Sequence, residues 1–292
     1  MWVHDSGGDR EISGEGIASL PGLGFGGGGA RNVFSPDGKR VYYLVRKPGS
    51  QDFMFGQLWV TELDSGQSEP VLPGISMDGF DLAPDGRLVT FSARDGEGNS
   101  HVWVAPLDHS APPKQLTSLI AHHEFFGSPQ DVYFIGREGE QEFVYTIGVN
   151  EALPRKVNPQ PGGNTGLSSS GDWWLMGFTP VIARSKRGGA PIRVCSSCSA
   201  GWAPDGRFFY VFFREIGVMG GEKTIVIALP PGQVLPPLPP DGLSSPKDTK
   251  GLDVVAEIDM KGMSRFAPGP DPFIYAYVRA SVQRNLFRIP LQ

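Results

Sequence analysis

Apolar and polar positions alternate along short stretches of this chain, and one turn signature interrupts them at intervals. Ser35-Pro36-Asp37-Gly38-Lys39 runs into Arg40-Val41-Tyr42-Tyr43-Leu44-Val45. Ala83-Pro84-Asp85-Gly86-Arg87 runs into Leu88-Val89-Thr90-Phe91-Ser92, and Ala203-Pro204-Asp205-Gly206-Arg207 into Phe208-Phe209-Tyr210-Val211-Phe212-Phe213. Weaker copies stand at Ser128-Pro129-Gln130-Asp131, Ser170-Gly171-Asp172 and Ala267-Pro268-Gly269-Pro270-Asp271. Proline presets φ for the second position of a type I turn, aspartate suits the third, and glycine at the fourth tolerates a positive φ. Apolar, β-branched and aromatic residues flank each turn, which is the signature of a hairpin.

A second alternating strand follows each hairpin: Gln57-Leu58-Trp59-Val60-Thr61-Glu62-Leu63, His101-Val102-Trp103-Val104-Ala105-Pro106-Leu107, Glu142-Phe143-Val144-Tyr145-Thr146-Ile147, Lys223-Thr224-Ile225-Val226-Ile227-Ala228 and Asn285-Leu286-Phe287-Arg288-Ile289-Pro290-Leu291. A polar turn and a short outer strand, such as Glu69-Pro70-Val71-Leu72, complete the unit. Four antiparallel strands in ~40–50 residues is the pattern of a propeller blade. The turn prolines Pro36, Pro84 and Pro129 are 48 and 45 residues apart, and the longer step from Pro204 to Pro268 holds a proline-rich insert.

The expected fold is therefore all-β: one β-propeller domain over 1–292 with about six four-stranded antiparallel blades. Its units run approximately 1–20 (partial), 30–73, 78–118, 122–158, 165–195, 196–260 and 262–292. Trp2-Val3-His4-Asp5 reads as a third strand and Arg10-Glu11-Ile12-Ser13 as an outer one. With Asn285–Leu291 also read as a third strand, closing the ring leaves one third strand over, so Met1 is expected to fall mid-blade in a fragment of a longer protein.

Composition sharpens this picture. Glycine (40) and proline (27) approach a quarter of the 292 residues, about twice ordinary usage. Disordered chains are poor in aromatics, yet this one carries 18 Phe, 7 Tyr and 6 Trp, so the excess belongs to turns. A net charge of −5 argues against a nucleic-acid partner, which a basic patch would announce. No signal peptide and no apolar run long enough to span a membrane is present. The segment is thus expected to be a monomeric domain without membrane contact of its own, extracytoplasmic if it belongs to a membrane receptor and cytoplasmic if free-standing.

The turns together with the Leu58-Trp59-Val60 type of strand resemble the TolB/PD40 (WD40-like) propeller repeats, from Trp2 to Leu291. Met1-Trp2-Val3-His4-Asp5 with Gly8-Asp9-Arg10, and the tail Tyr275-Ala276-Tyr277-Val278-Arg279 with Val282-Gln283-Arg284 through Leu291, resemble the C-terminal propeller of acidobacterial-type receptor Ser/Thr kinases. That resemblance implies a sensory or interaction module. The kinase signatures themselves are missing from this sequence.

Chemistry-bearing residues are few. The innermost strand of each blade lines the central channel, and its register places Arg31, Asp78, His122, His123, Glu124 and Arg265 there as ligand-binding candidates, with Cys198 at the rim. His122 and His123 are weak metal candidates, and no cofactor is implied. Cys195-Ser196-Ser197-Cys198 lacks the second ligand pair that structural zinc needs, which leaves a local disulfide or two free thiols. Gly22-Leu23-Gly24-Phe25-Gly26-Gly27-Gly28-Gly29 matches a dinucleotide fingerprint, but the strand that follows favours a linker. Pro230 to Pro240 contains P-x-x-P and is expected to be partly polyproline II, as a stiff loop. Trp59, Trp103, Trp173, Trp174 and Trp202 are assigned to the core between blades. No nucleophile elbow occurs. The function expected is a non-catalytic module that recognises a protein, peptide or small ligand at the channel mouth. The alternative is a metal-dependent lyase or hydrolase centred on His122, His123 and Glu124.

Overall fold

The computed structural model describes residues 1–13, 32–46, 55–157, 165–177, 179–214 and 221–279. Among them the chain forms six four-stranded antiparallel sheets arranged as the blades of a propeller. Blade 1 holds Asn32–Phe34, Arg40–Val45, Gln57–Glu62 and Ser68–Pro70, and blade 2 holds Met77–Leu82, Leu88–Arg94, Ser100–Pro106 and Lys114–Gln115. Blade 3 holds Ala121–Phe126, Asp131–Glu138, Gln141–Gly148 and Arg155–Lys156, and blade 4 holds Thr165–Leu167, Trp173–Met176, Val181–Ser185 and Ile192–Cys195. Blade 5 holds Cys198–Trp202, Phe208–Arg214, Gly221–Ala228 and Val254–Asp259. The first strand named in each blade is innermost. Arg31 and the glycine run 22–29 lie outside the described residues.

Blade 6 closes the ring. Its inner strands are Met263–Pro268 and Tyr275–Arg279, and its outer two are Trp2–Asp5 and Gly8–Glu11. Trp2 pairs with Tyr277, Val3 with Ala276 and His4 with Tyr275. The third place, expected for Asn285–Leu291, is thus filled by Trp2–Asp5, and the expected surplus strand is not needed to explain the ring. The pattern explains why: Met1-Trp2-Val3 repeats Leu58-Trp59-Val60 of blade 1. Val3 is wholly buried, the Arg279 guanidinium stands 4.0 Å over the Trp2 ring, and Arg279 also donates to Asp9 at 3.0 Å. Asn285–Leu291 itself lies outside the described residues.

The recurring turns have one geometry. Gly38 N–H donates to Ser35 C=O, Gly86 to Ala83, Gly171 to Ser168 and Gly206 to Ala203. These glycines have φ of 70°, 69°, 74° and 72°, where an L side chain is disfavoured. In blade 6 the turn begins two residues later than the sequence motif suggests. Pro268 belongs to the inner strand, while Gly269 N–H donates to Ile274 C=O and Ile274 N–H to Asp271 C=O.

These turns also touch one another around the ring. A Cβ on Gly38 would sit 2.5 Å from Pro270 Cγ of blade 6, one on Gly86 would sit 3.1 Å from Pro36 Cδ of blade 1, and one on Gly206 would sit 2.3 Å from Ser169 Oγ of blade 4. Arg207 Nη2 donates to Pro270 C=O at 3.2 Å. Glycine is required there twice over, for its backbone and for the neighbouring blade.

Between blades the core is aliphatic and aromatic, with Tyr43, Phe80, Phe91, Phe134, Phe209, Tyr210 and Tyr277 fully buried. The tryptophans pack into this core as expected, Trp174 buried and Trp59, Trp103, Trp173 and Trp202 half-buried at its margin. They cover seams with one face and reach solvent with the other, as amphipathic rings do.

The proline-rich insert folds back on blades 4 and 5. Leu243 is wholly buried and exchanges backbone hydrogen bonds with Val194 and Ser196, while Trp202 Nε1 donates to Val234 C=O at 2.6 Å. Leu238 N–H donates to Pro236 C=O at 2.8 Å, a tight turn within the segment expected to be partly polyproline II, a helix with no internal hydrogen bonds.

The turn ring has a measurable consequence. Gly66 has φ 70°, with nothing near its would-be Cβ, so Gly66→Ala is expected to cost about 1 kcal/mol from the backbone alone. Gly38→Ala adds the collision with Pro270 and is expected to cost about 2–4 kcal/mol. Equilibrium urea unfolding of both variants measures the difference, and equal losses would show that the turns do not pack as described.

Candidate site in the seam of blades 2 and 3

Two innermost strands carry carboxylates, and both are irregular. In blade 2 Met77 pairs with Ala93 and Gly79 with Ser92, so Asp78 is an extra, bulged residue. In blade 3 His122 pairs with Ile135 and Phe125 with Tyr133, so His123 and Glu124 together oppose one partner residue. His123 has φ 56°, an uncommon conformation for a residue other than glycine. Bulges re-aim side chains, and this one sends neighbours in opposite directions.

His123 is exposed and His122 half-buried, their rings meeting edge to face with centroids 4.7 Å apart. His122 Nε2 lies 3.7 Å from Glu142 Oε1. Glu124 instead turns into the seam between blades 2 and 3 and has no accessible surface. Ser92 Oγ of blade 2 donates to Glu124 Oε2, while Oε1 has no hydrogen-bond partner among the described residues. Burial, joined by the charges of Asp78 and Asp81, pushes the Glu124 carboxyl up to about 8.

Asp81 is the residue the sequence reading missed. It is half-buried, and Phe126 N–H of blade 3 donates to its Oδ2 at 2.8 Å. Burial raises it to about 7, opposed by the backbone donors of Phe126 and Leu82. An aspartate between Phe80 and Leu82, two places before a turn, was the available signal. Ser92 was likewise hidden inside an apolar strand.

The structure brings Asp78, Asp81 and Glu124 together, with His122 and His123 on the same strand as Glu124. It does not bring Arg265 into a describable contact: its backbone lies in Met263–Pro268, and its side chain is outside the described residues. Cys198 does not face the channel. It is bonded to Cys195 with Cα atoms 6.0 Å apart, and both are buried in the core of blades 4 and 5. Among the described residues no three His, Cys, Asp or Glu side chains converge as a metal site. The His122-His123-Glu124 run therefore does not act as one ligand set, because the bulge separates its members.

Solved structures share this architecture. A putative TolB from Agrobacterium tumefaciens matches at TM-score 0.61 and 15% identity, over 95% of this chain and 96% of that one. The fold is that of a TolB-like β-propeller. TolB from Acinetobacter baumannii matches at TM-score 0.52 and 16% identity over 68% of this chain, which spans about half (51%) of that structure. An oligogalacturonate lyase in complex with manganese matches at TM-score 0.51 and 13% identity, over 78% of this chain and 67% of that one. At these identities the likeness concerns fold alone. No protein-family model matches the sequence, and no curated protein matches it significantly.

A propeller of this type that holds a neutral Glu124 at neutral pH has a signed pH dependence. Its folded value, about 8, stands above the ordinary 4.5, so the folded state binds the proton more tightly than the unfolded one. The contribution of Glu124 to stability is fully present below about 4.5 and is lost as pH rises through about 8, since the slope follows the protons bound by each state. Glu124→Gln is expected to flatten this fall by several degrees of Tm, read by scanning calorimetry across that range. Parallel curves for the two proteins would show that Glu124 ionises normally.

Proposed function

We propose that this propeller is a non-catalytic binding module that takes a protein or peptide partner at the channel, through a positively charged group held by Asp78 and Asp81. The supporting observation is the asymmetry of the ring. Blades 2 and 3 carry three carboxyls on or beside the channel wall, set there by two bulges and a left-handed histidine. The described inner strands of the other blades carry no acid: Asn32–Phe34, Thr165–Leu167, Cys198–Trp202 and Met263–Pro268. A fold does not need such local violations, which tend to mark functional sites. Loops and rims of a rigid scaffold are also where binding commonly resides.

The Cys195–Cys198 disulfide fits an oxidising compartment. With it we read the module as extracytoplasmic, as the ligand-binding part of a larger bacterial signalling protein. The lyase or hydrolase reading has less support, since His122, His123 and Glu124 face different ways.

Selection of peptides from a displayed random library tests the binding site. Recovered peptides are expected to be rich in Lys and Arg, and to bind Asp78→Asn/Asp81→Asn about tenfold more weakly, with a cooperative thermal melt showing that the variant is folded. Binding is also expected to strengthen as pH rises through about 7, where Asp81 ionises. Binders indifferent to both the variant and pH would overturn the assignment. A bound transition metal, lost on His123→Ala, would favour the enzyme instead.

A further inference from the structure

Blade 4 carries the opposite charge to the channel carboxyls. Residues 165–195 hold Arg184, Lys186, Arg187 and Arg193 against Asp172 as their only acid, in a protein of net charge −5. The basic run Arg184-Ser185-Lys186-Arg187 is more than a solvated turn: Arg184 belongs to the strand Val181–Ser185 and opposes Trp174.

Register decides which way these charges look. Directly opposed residues share a face of a sheet, and so do residues two apart along a strand. Trp174 opposes Arg184, and Ile182 opposes Arg193, so Arg184 and Arg193 stand on the face that carries Trp174. That face looks toward blade 3, because the Trp174 ring meets Tyr133 of blade 3 edge to face, with centroids 5.3 Å apart. Lys186 extends the row. Its Nζ lies 4.5 Å from the Trp174 centroid and 4.8 Å from that of Tyr133, and it donates to the Tyr133 hydroxyl at 3.2 Å.

Arg187 is engaged with Asp172 at 3.2 Å. Arg184 and Arg193 have no acidic partner among the described residues. Arg193 and Lys186 are exposed and Arg184 is half-buried. Residues 158–164 and 178, which lie outside the described residues, contain no charged side chain. Alternate positions on a strand are about 6.6–6.8 Å apart, and Arg193 lies diagonally from Arg184 at about 7–8 Å. An extended peptide has nearly the same two-residue period, so acids at its alternate positions meet successive cations. The planar guanidinium fork matches a carboxylate. Lys186, already held by two rings, loses little freedom on binding.

We propose that this face of blade 4 is a docking surface for an extended acidic segment of a partner protein, whose alternate Asp or Glu side chains pair with Arg193, Arg184 and Lys186. The surface is separate from the channel and does not rest on the function proposed there.

Two capped, dye-labelled peptides of equal length and composition are the probes, one with Glu and Thr alternating and one with all Glu before all Thr. Fluorescence anisotropy at low ionic strength reads their affinities. The alternating peptide is expected to bind about tenfold more tightly than the block isomer. Arg184→Gln/Arg193→Gln is expected to weaken it about tenfold, and Arg193→Gln alone, at an exposed position, about threefold. Asp78→Asn/Asp81→Asn is expected to leave binding unchanged. Thermal melts establish that each variant is folded. Oligothymidylate and a heparin fragment of matched charge are expected to compete about tenfold less well than unlabelled peptide. Equal affinity for the two peptides, binding indifferent to the arginine variants, competition by either polyanion as strong as the peptide's own, or no binding at millimolar concentration would each overturn the proposal.

Discussion

The pairing of Trp2–Asp5 with Tyr275–Arg279 is the interaction on which the architecture rests. It joins segments from opposite ends of the described chain and converts a row of six sheets into a ring. Without it, blade 6 would present an open edge, which natural sheets avoid, and the turn of blade 6 would not be held against Gly38 of blade 1. The ring in turn creates the channel and presses each inner strand against the next blade. Burial of Glu124 against Ser92, and the hydrogen bond from Phe126 to Asp81, exist only because blades 2 and 3 are held in register.

The two halves of the ring use that scaffold differently. Around blades 4 and 5 the chain spends its irregularity on reinforcement, through the Cys195–Cys198 disulfide, Leu243 and the hydrogen bond from Trp202 to Val234. Around blades 2 and 3 it spends its irregularity on polar groups that destabilise the fold. A buried carboxyl with one unpaired oxygen is costly whether neutral or charged, and Asp78 and Asp81 add to the cost of charging it. An apolar residue at position 124 would pack the seam without these penalties. The seam is therefore where a role other than folding is most economically placed.

The sequence conveyed the fold well because each blade repeats one turn whose residues have individual physical reasons. Proline, aspartate and glycine at Pro36, Asp37 and Gly38 encode the hairpin locally, with no need of distant contacts. Ring closure was legible only in part. Trp2–Asp5 looked like a third strand, but which strand held that place in blade 6 depends on pairing across the whole chain. The site was less legible still. Asp78 and Glu124 stood out as charges on inner strands, but the bulge that parts Glu124 from His122 and His123 leaves no mark in the sequence. Asp81 and Ser92 gain their importance from the neighbouring blade. The tryptophans were legible as inter-blade packing, though a ring at the margin of a core and one at its centre have the same sequence pattern.

The central claim is that blades 2 and 3 hold carboxyls that keep their protons near neutral pH. Carbon-detected NMR of protein labelled at the Asp and Glu carboxyls, titrated from acid to mild alkali, tests it directly. The account expects one carboxyl to titrate near 7 and another near 8, the upper one absent from Glu124→Gln. If every carboxyl in the folded protein titrated within the ordinary acidic range, Glu124 and Asp81 would be solvated, and the packing assigned to blades 2 and 3 would fail.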